Sequence, residues 1–559
     1  MMRRLAERSG LVLALVFAWK LGLLMFAAQP VPANDAFFYD GPVVNYLLHG
    51  KFINPSLALV LPISGNEVFS AYPPLYHLVL LGWMSVFGTS ALSAMWLHLL
   101  LFGVYAYILL GIFRELKVPA VGANLASLFL LSITFHDRPD SLAHVLGMAA
   151  VSACVRGWRG AGNELQTAMR GRWAWVAVAL VALTLATSLQ IGAFYGLLIW
   201  LVWLGGRLLA GLPLPLAAMA ATVIIPVGLI IFVKLACPQL WAGFLEHAQL
   251  TPSATGWRVP QLADVLKVVR TVPGVLAVAG VLIWFAMRGR SLLYGSEVVT
   301  TLLVAVSATA LAVMAASLFA VTPNMVQIAN YLQPLVVGVF LTVLARTTHT
   351  FRSRRREGAE MENLETGPPP HVGDYRSSPF PAEAETCHRS LAGLPRWAVV
   401  MFLMLALLAS VRLVGMSTWG VACAVDLNYT ASRERLREEL DAIPPGSTVV
   451  ASSAYLYETA RRDDVRWIHS DWPGDTAGFQ ANWERDALIA LRPARLIITQ
   501  FDYYRRYERV LKELNQEAGL VDIKVHNFAR VNPPDASRLT QKVVQHVAWA
   551  PVVVEFTWP

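Results

Sequence analysis

Charge is what this sequence has least of. Only 15% of its 559 residues are Asp, Glu, Lys or Arg, while 56% are hydrophobic. Soluble domains carry about 25% charged residues, so a chain this poor in charge points to lipid as its solvent. Cysteine is scarce too, and Cys154, Cys237, Cys387 and Cys423 show no metal-ligand spacing. Cys237 and Cys423 fall on the same side of the topology below, so a disulfide stays open beside the simpler choice of unpaired thiols. No internal repeat relates the two halves, and no apolar run carries an acidic residue at its middle, which speaks against a transporter or flippase. The formal charge of +8 is no nucleic-acid signal, because the basic residues crowd into short loops between apolar runs.

What the sequence has in quantity is apolar runs. They cover residues 11–28, 91–113, 119–135, 139–155, 174–188, 190–206, 213–236, 272–287, 298–321, 331–345 and 397–416. A span needs about 20 residues. The first run follows Met1-Met2-Arg3-Arg4 and reads as a retained signal anchor with its amino end in the cytoplasm; a cleaved signal ending near Pro32-Ala33 is the alternative. A further run, 75–87, is short and opens with Pro73-Pro74. If it lies flat at the interface, Arg114, Lys117, Arg156, Arg159, Arg170, Arg172, Arg207, Arg288, Arg290 and the Arg346–Arg356 group all become cytoplasmic. The positive-inside rule therefore favours an interfacial helix and about eleven spans. The expected fold is a polytopic α-helical membrane protein with a C-terminal extracytoplasmic α/β domain, in the inner membrane of a bacterium.

The expected divisions follow. Residues 1–345 form a transmembrane catalytic unit with an outer loop at 29–90. Residues 346–396, with Gly367-Pro368-Pro369-Pro370 and few apolar residues, read as a cytoplasmic disordered linker. A last span covers 397–416, and 417–559 form the α/β domain, with helices at 432–442, 483–491 and 502–516. Its strands are expected near 448–450, 496–499, 521–525 and 552–556. It has neither a GxGxxG nor a P-loop, so nucleotide binding has no support.

The outer loop carries the chemistry. It reads Asn34-Asp35-Ala36-Phe37-Phe38-Tyr39-Asp40, continues through His49-Gly50-Lys51, and ends Tyr72-Pro73-Pro74-Leu75-Tyr76-His77. If the segment is helical, Asp35, Tyr39 and Val43 share one face and Asp40 turns away, so that one carboxylate points into a cavity while the other caps or faces water. Alone, Asp35 would be an ordinary N-cap. A second outer turn, His136-Asp137-Arg138-Pro139-Asp140, places ionisable groups at nearly the same depth, where they are costly and usually functional. Asp140 also has an N-cap alternative.

In this order the motifs resemble the GT-C glycosyltransferases, in particular the bacterial branch related to aminoarabinose transferases and protein O-mannosyltransferases. Pro73-Pro74-Leu75-Tyr76 is similar to that branch's element after the first outer loop. Arg138-Pro139-Asp140 matches its second outer turn, and Asn330-Tyr331 with Pro334 a later motif at the start of a span. The resemblance covers roughly the first 340 residues. It implies a polyprenyl-phosphate-linked sugar donor used on the extracytoplasmic side, with Asp35 as the first-loop acid and Asp140 as the second. Asn34-Asp35-Ala36 departs from the family's usual neighbours of the first acid, which leaves Asp40 as a substitute.

The residue types suit that chemistry in their own right. A carboxylate can take the acceptor hydroxyl's proton, and attack opposite the phosphate would invert the anomeric centre. The departing phosphate wants cations, for which Arg138 and Arg258 are candidates, with Lys51, His136 and His247 behind them. Tyr39, Tyr76, Asn330 and Tyr331 complete the expected substrate-binding set. Arg258 has an ordinary use as an interfacial anchor, and His247 with Glu246 as a surface pair. A divalent cation (Mg2+ or Mn2+) held by Asp35 and Asp140 lacks a third clear ligand. Expected partners are the lipid-linked donor and a lipid, glycan or protein acceptor. The rival activities are a polysaccharide polymerase or ligase, a flippase, and a sensor or partner-binding role for the outer domain.

Overall fold

Each apolar run folds at least in part into helix, because in lipid every backbone polar group must be satisfied inside its own segment. The structure, a computed structural model, describes residues 10–26, 36–58, 61–70, 72–133, 139–159, 164–250, 259–287, 297–319, 326–366, 394–426, 429–462, 465–468, 483–517, 522–527 and 550–558.

Among the described residues, five helices are long and apolar enough to cross a membrane: Ala91–Glu115, Leu189–Leu209, Leu216–Ala236, Val298–Phe319 and Val326–Thr348. A sixth is added if Leu262–Thr271 and Pro273–Trp284, bent by 92°, count as one broken span. Shorter apolar helices cover Leu11–Met25, Leu75–Phe87, Ala120–Ser132, Gly171–Leu185 and Arg396–Val411. The count by length and composition thus falls short of eleven, since several runs give helices too short to qualify alone.

The helices differ in what they touch. The window in Val326–Thr348 is 94% buried inside the chain, whereas that in Leu216–Ala236 is 11% buried. The first is the bundle's axis; the second turns apolar side chains such as Ile224 and Phe232 outward. Small residues let the axis pack closely: a Cβ at Gly338 would lie 2.4 Å from the Phe113 ring.

Two boundaries move. The axial helix runs from Val326 to Thr366, so residues 346–366 are helix and not disordered linker. Apart from Gly358 this stretch is built mostly from helix-compatible residues and meets no proline before Pro368. Residues 367–393 lie outside the described residues. The last apolar helix continues from Arg396 to Asp426, and the helix after it spans Tyr429–Ala442.

The C-terminal part contains a five-stranded sheet with β1 (Val449–Ser452), β2 (Val465–Ile468), β3 (Arg495–Thr499), β4 (Asp522–Asn527) and β5 (Pro551–Thr557) in the order β2-β1-β3-β5-β4. β1 pairs parallel with β2 and β3, while β5 pairs antiparallel with β3 and β4. The partly parallel sheet is as expected; β2 was not. The apolar core of the helices reaches into the C-terminal part, where Leu436, Val449, Tyr455 and Tyr457 belong to the same cluster, while Val450, Leu496, Ile498 and Val552 belong to a second one.

Candidate functional site

The loop after the first apolar helix is a packed layer, not a connector. Its first helix runs Ala36–His49 with Pro42 inside it, and Phe52, Leu57, Leu61 and Phe69 pack beneath. Gly41 is required for this: a Cβ there would meet the buried Asn54 side chain at 2.6 Å. The Leu75–Phe87 helix is pinned at its start, where the Leu75 N–H donates to the Ala186 carbonyl (3.0 Å).

Asp40 does not turn toward water. Tyr39, Asp40, Val43 and Val44 are all buried, with Asp40 1% exposed. One membrane-facing stripe would leave Asp40 wet, but the C-terminal domain covers the helix's other side. The Tyr457 hydroxyl donates to Asp40 Oδ2 (2.6 Å) and the Tyr76 hydroxyl to Oδ1 (3.4 Å). The Tyr76 hydroxyl also bonds His98 Nε2 (3.0 Å), and His98 Nδ1 bonds Ser141 Oγ (2.8 Å). If His98 is protonated on Nε2, every member donates toward Asp40, from Ser141 through His98 and Tyr76. Such a chain strengthens its own links in a low-dielectric interior.

Asp140 sits differently. It is half-buried at the first position of the Asp140–Arg159 helix. Its charge reaches two phenols in contact, Tyr39 and Tyr72, whose rings lie 4.8 Å apart and tilted by 58°. Burial pushes the Tyr39 hydroxyl well above its ordinary range, and Tyr72 and Asp140 add to the shift. Burial also raises Tyr72, with Asp140 adding to it and the hydrogen bond from Tyr39 opposing. Both phenols are therefore neutral donors beside a carboxylate. The His247 ring packs 5.0 Å from Tyr72, and burial pushes its imidazole down to about 4. His247 and Glu246 are not a surface pair: Glu246 Oε1 accepts from the Ile63 N–H (3.2 Å), docking the Pro238–Leu250 helix on the loop.

Asn330 and Tyr331 lie in another layer. The Asn330 amide is occupied: Nδ2 donates to the Ser132 carbonyl (2.9 Å), and Oδ1 accepts from Ser132 Oγ (2.9 Å) and Gln333 Nε2 (3.2 Å). Gln333 Oε1 then accepts from the Gly274 N–H (2.8 Å). This amide clamp ties three segments together. Tyr331 is buried, stacks 3.6 Å on His144, and accepts through its carbonyl from Tyr105.

Of the remaining expected residues, Lys51 is exposed at the end of the loop helix. Asp35, His136, Arg138 and Arg258 lie outside the described residues. No group of three or more His, Cys, Asp or Glu able to hold a metal ion occurs among the described residues. Cys154 and Cys237 are free thiols; the Cys423 side chain lies outside the described ones.

Four residues of this region were not anticipated. His98 and Ser141 bridge Tyr76 to the start of the Asp140 helix, and Tyr457 arrives from the far end of the chain. The fourth is Lys20, within the first apolar helix, whose ammonium donates to the Ile133 carbonyl (2.7 Å) and lies 5.1 Å over the Phe102 ring. A lysine inside an apolar run is costly and was itself a signal.

At the level of sequence, no protein-family model and no curated protein matches the chain. Solved structures do. ArnT from Cupriavidus metallidurans in the apo state superposes with a TM-score of 0.52 at 14% identity, covering 97% of each chain. The same protein bound to undecaprenyl phosphate gives 0.51 at 15% identity over 97% of each chain. The chain has the GT-C fold. The oligosaccharyltransferase of Archaeoglobus fulgidus is more distant, with a TM-score of 0.45 at 12% identity over 90% of this chain and 71% of that one. A GT-C fold over nearly the whole chain means that the C-terminal domain belongs to the shared architecture, beyond the first 340 residues that carry the sequence motifs.

Proposed function

We propose that this protein is a membrane glycosyltransferase that moves a sugar from a polyprenyl-phosphate-linked donor to an acceptor hydroxyl at the extracytoplasmic face, with inversion. Asp35 acts as general base, and Asp140 with Tyr39 and Tyr72 binds substrate beside it. The observation that carries this is the acid-and-phenol group on the first outer loop, within a fold shared end to end with ArnT, one of whose structures is bound to undecaprenyl phosphate.

The chemistry divides as follows. A base must hold a lone pair accessible to the acceptor. Asp40 is a poor candidate, since it is sealed and both of its oxygens already accept tyrosine protons. That leaves Asp35 for proton abstraction and Asp40 as an anchor. Tyr39 donates to the Tyr72 oxygen, and neutral Tyr72 is the phenol of the pair that can turn its O–H to a sugar or phosphate oxygen without adding charge. Arg138, Arg258 and Lys51 are the cations offered to the departing phosphate.

The test is glycolipid profiling of cells carrying wild type, Asp35→Asn or Asp35→Ala at matched protein levels. One product species should vanish with Asp35→Ala. Persistence of every species at wild-type level would refute the assignment, and loss with Asp40→Ala alone would move the base to Asp40.

A further inference from the structure

The Leu456–Thr459 turn of the C-terminal domain follows β1 after the short Ser453–Tyr455 turn, and its four residues are all buried. It is held from behind. Glu458 pairs with Arg433 of the Tyr429–Ala442 helix (3.5 Å), with side chains 2% and 5% exposed. Arg462, just beyond, donates to the carbonyls of Leu440 (2.7 Å) and Ile443 (3.0 Å). It meets the loop helix in front at two places: Tyr457 donates to Asp40, and His49 Nε2 bonds the Ala460 carbonyl (2.8 Å).

We infer that this turn is a positioning element of the transfer site, with Tyr457 as its positioning residue. Tyr457 fixes the Asp40 carboxylate and hence the loop helix that begins one residue after Asp35. Through Tyr76, His98 and Ser141 the same hydrogen-bond chain reaches the residue next to Asp140. One buried relay therefore holds the two acid-bearing segments in a common frame, and its outer end is supplied by the C-terminal domain. Hydrogen bonds to a buried carboxylate are directional and strong enough to set such a frame. The inference rests on the transfer site lying at this loop, and the test separates the two.

The experiment uses the full chain in lipid nanodiscs and in cells, as wild type, Tyr457→Phe, Asp40→Asn and the double variant, with Asp35→Ala as the loss control. Four quantities are read: the glycolipid that Asp35→Ala removes, the unfolding midpoint, the affinity for undecaprenyl phosphate, and amide hydrogen exchange in residues 36–49 and 140–146. Tyr457→Phe should lower product about tenfold, the scale of one hydrogen bond to a charged group. Undecaprenyl phosphate affinity should stay near wild type and the midpoint should fall less than in Asp40→Ala, while exchange rises in both segments and not elsewhere. The double variant should be no worse than Asp40→Asn alone, because both break the same link. Unchanged exchange in both segments, or a rise spread over the whole chain, would overturn the inference. If Asp35→Ala keeps its product, the transfer reaction is wrong, and the exchange pattern alone decides whether Tyr457 positions the loop.

Discussion

Asp40 and Asp140 stand on neighbouring elements of one layer, yet their surroundings are opposite. Asp40 is sealed beneath two domains with a tyrosine hydroxyl on each oxygen. Asp140 opens a helix, half-buried, facing neutral phenols. A buried carboxylate survives only if its charge is fully answered by donors, and a carboxylate so answered has little left for a substrate. Exposure, more than residue type, separates the two acids here.

Three changes would break or sharpen this contrast. Removing Asp40 should cost the most stability. Asp40→Ala removes the acceptor of the buried Tyr457 hydroxyl and one of the two partners of the Tyr76 hydroxyl, a loss of about 2–4 kcal/mol, and should lower the unfolding midpoint of the purified protein by several degrees. Next comes Gly41→Ala, whose Cβ would lie 2.6 Å from Asn54; overpacking should cost about 1–3 kcal/mol, with product falling only as folded protein falls. The Asp140→Ala change should cost about 1 kcal/mol at most in stability, the worth of a first-turn acid. Its product should nevertheless drop far more than that of Gly41→Ala at matched folded protein, which the glycolipid profile reads directly.

The smallest effect concerns pH. His247 has its folded value pushed down from 6.5 to about 4. The unfolded chain therefore takes up a proton first as pH falls, and binds more protons than the folded chain between those values. The His247 contribution to stability is full above about pH 6.5 and is lost progressively toward about pH 4. Midpoints measured across this window should decline less steeply for His247→Gln than for wild type.

The helical scaffold was legible because apolar runs of that length admit few other folds in lipid. Tyr39, Asp40, Tyr76 and Asp140 were also legible as a group, from two acidic outer turns. The orientation of Asp40 was not, since helical periodicity assumes one dry face and here a second cover dries the other. Tyr457 stands 417 positions from its partner, and no local pattern marks a contact of that separation. His98 was visible as a lone imidazole within an apolar run, and Lys20 likewise as a lone cation, but neither shows its partner locally. β2 was missed because it is four residues long and begins just after Arg461-Arg462-Asp463-Asp464. The helix through Thr366 was hidden by a charge-rich composition that reads equally as linker.

The sharpest discrimination comes from profiling lipid-linked products of cells expressing Asp35→Ala and Asp40→Asn at matched folded protein. Abolition of one glycolipid by Asp35→Ala, with a reduced but measurable amount in Asp40→Asn, is the expected result. Full product from Asp35→Ala, or complete loss confined to Asp40→Asn, would contradict it.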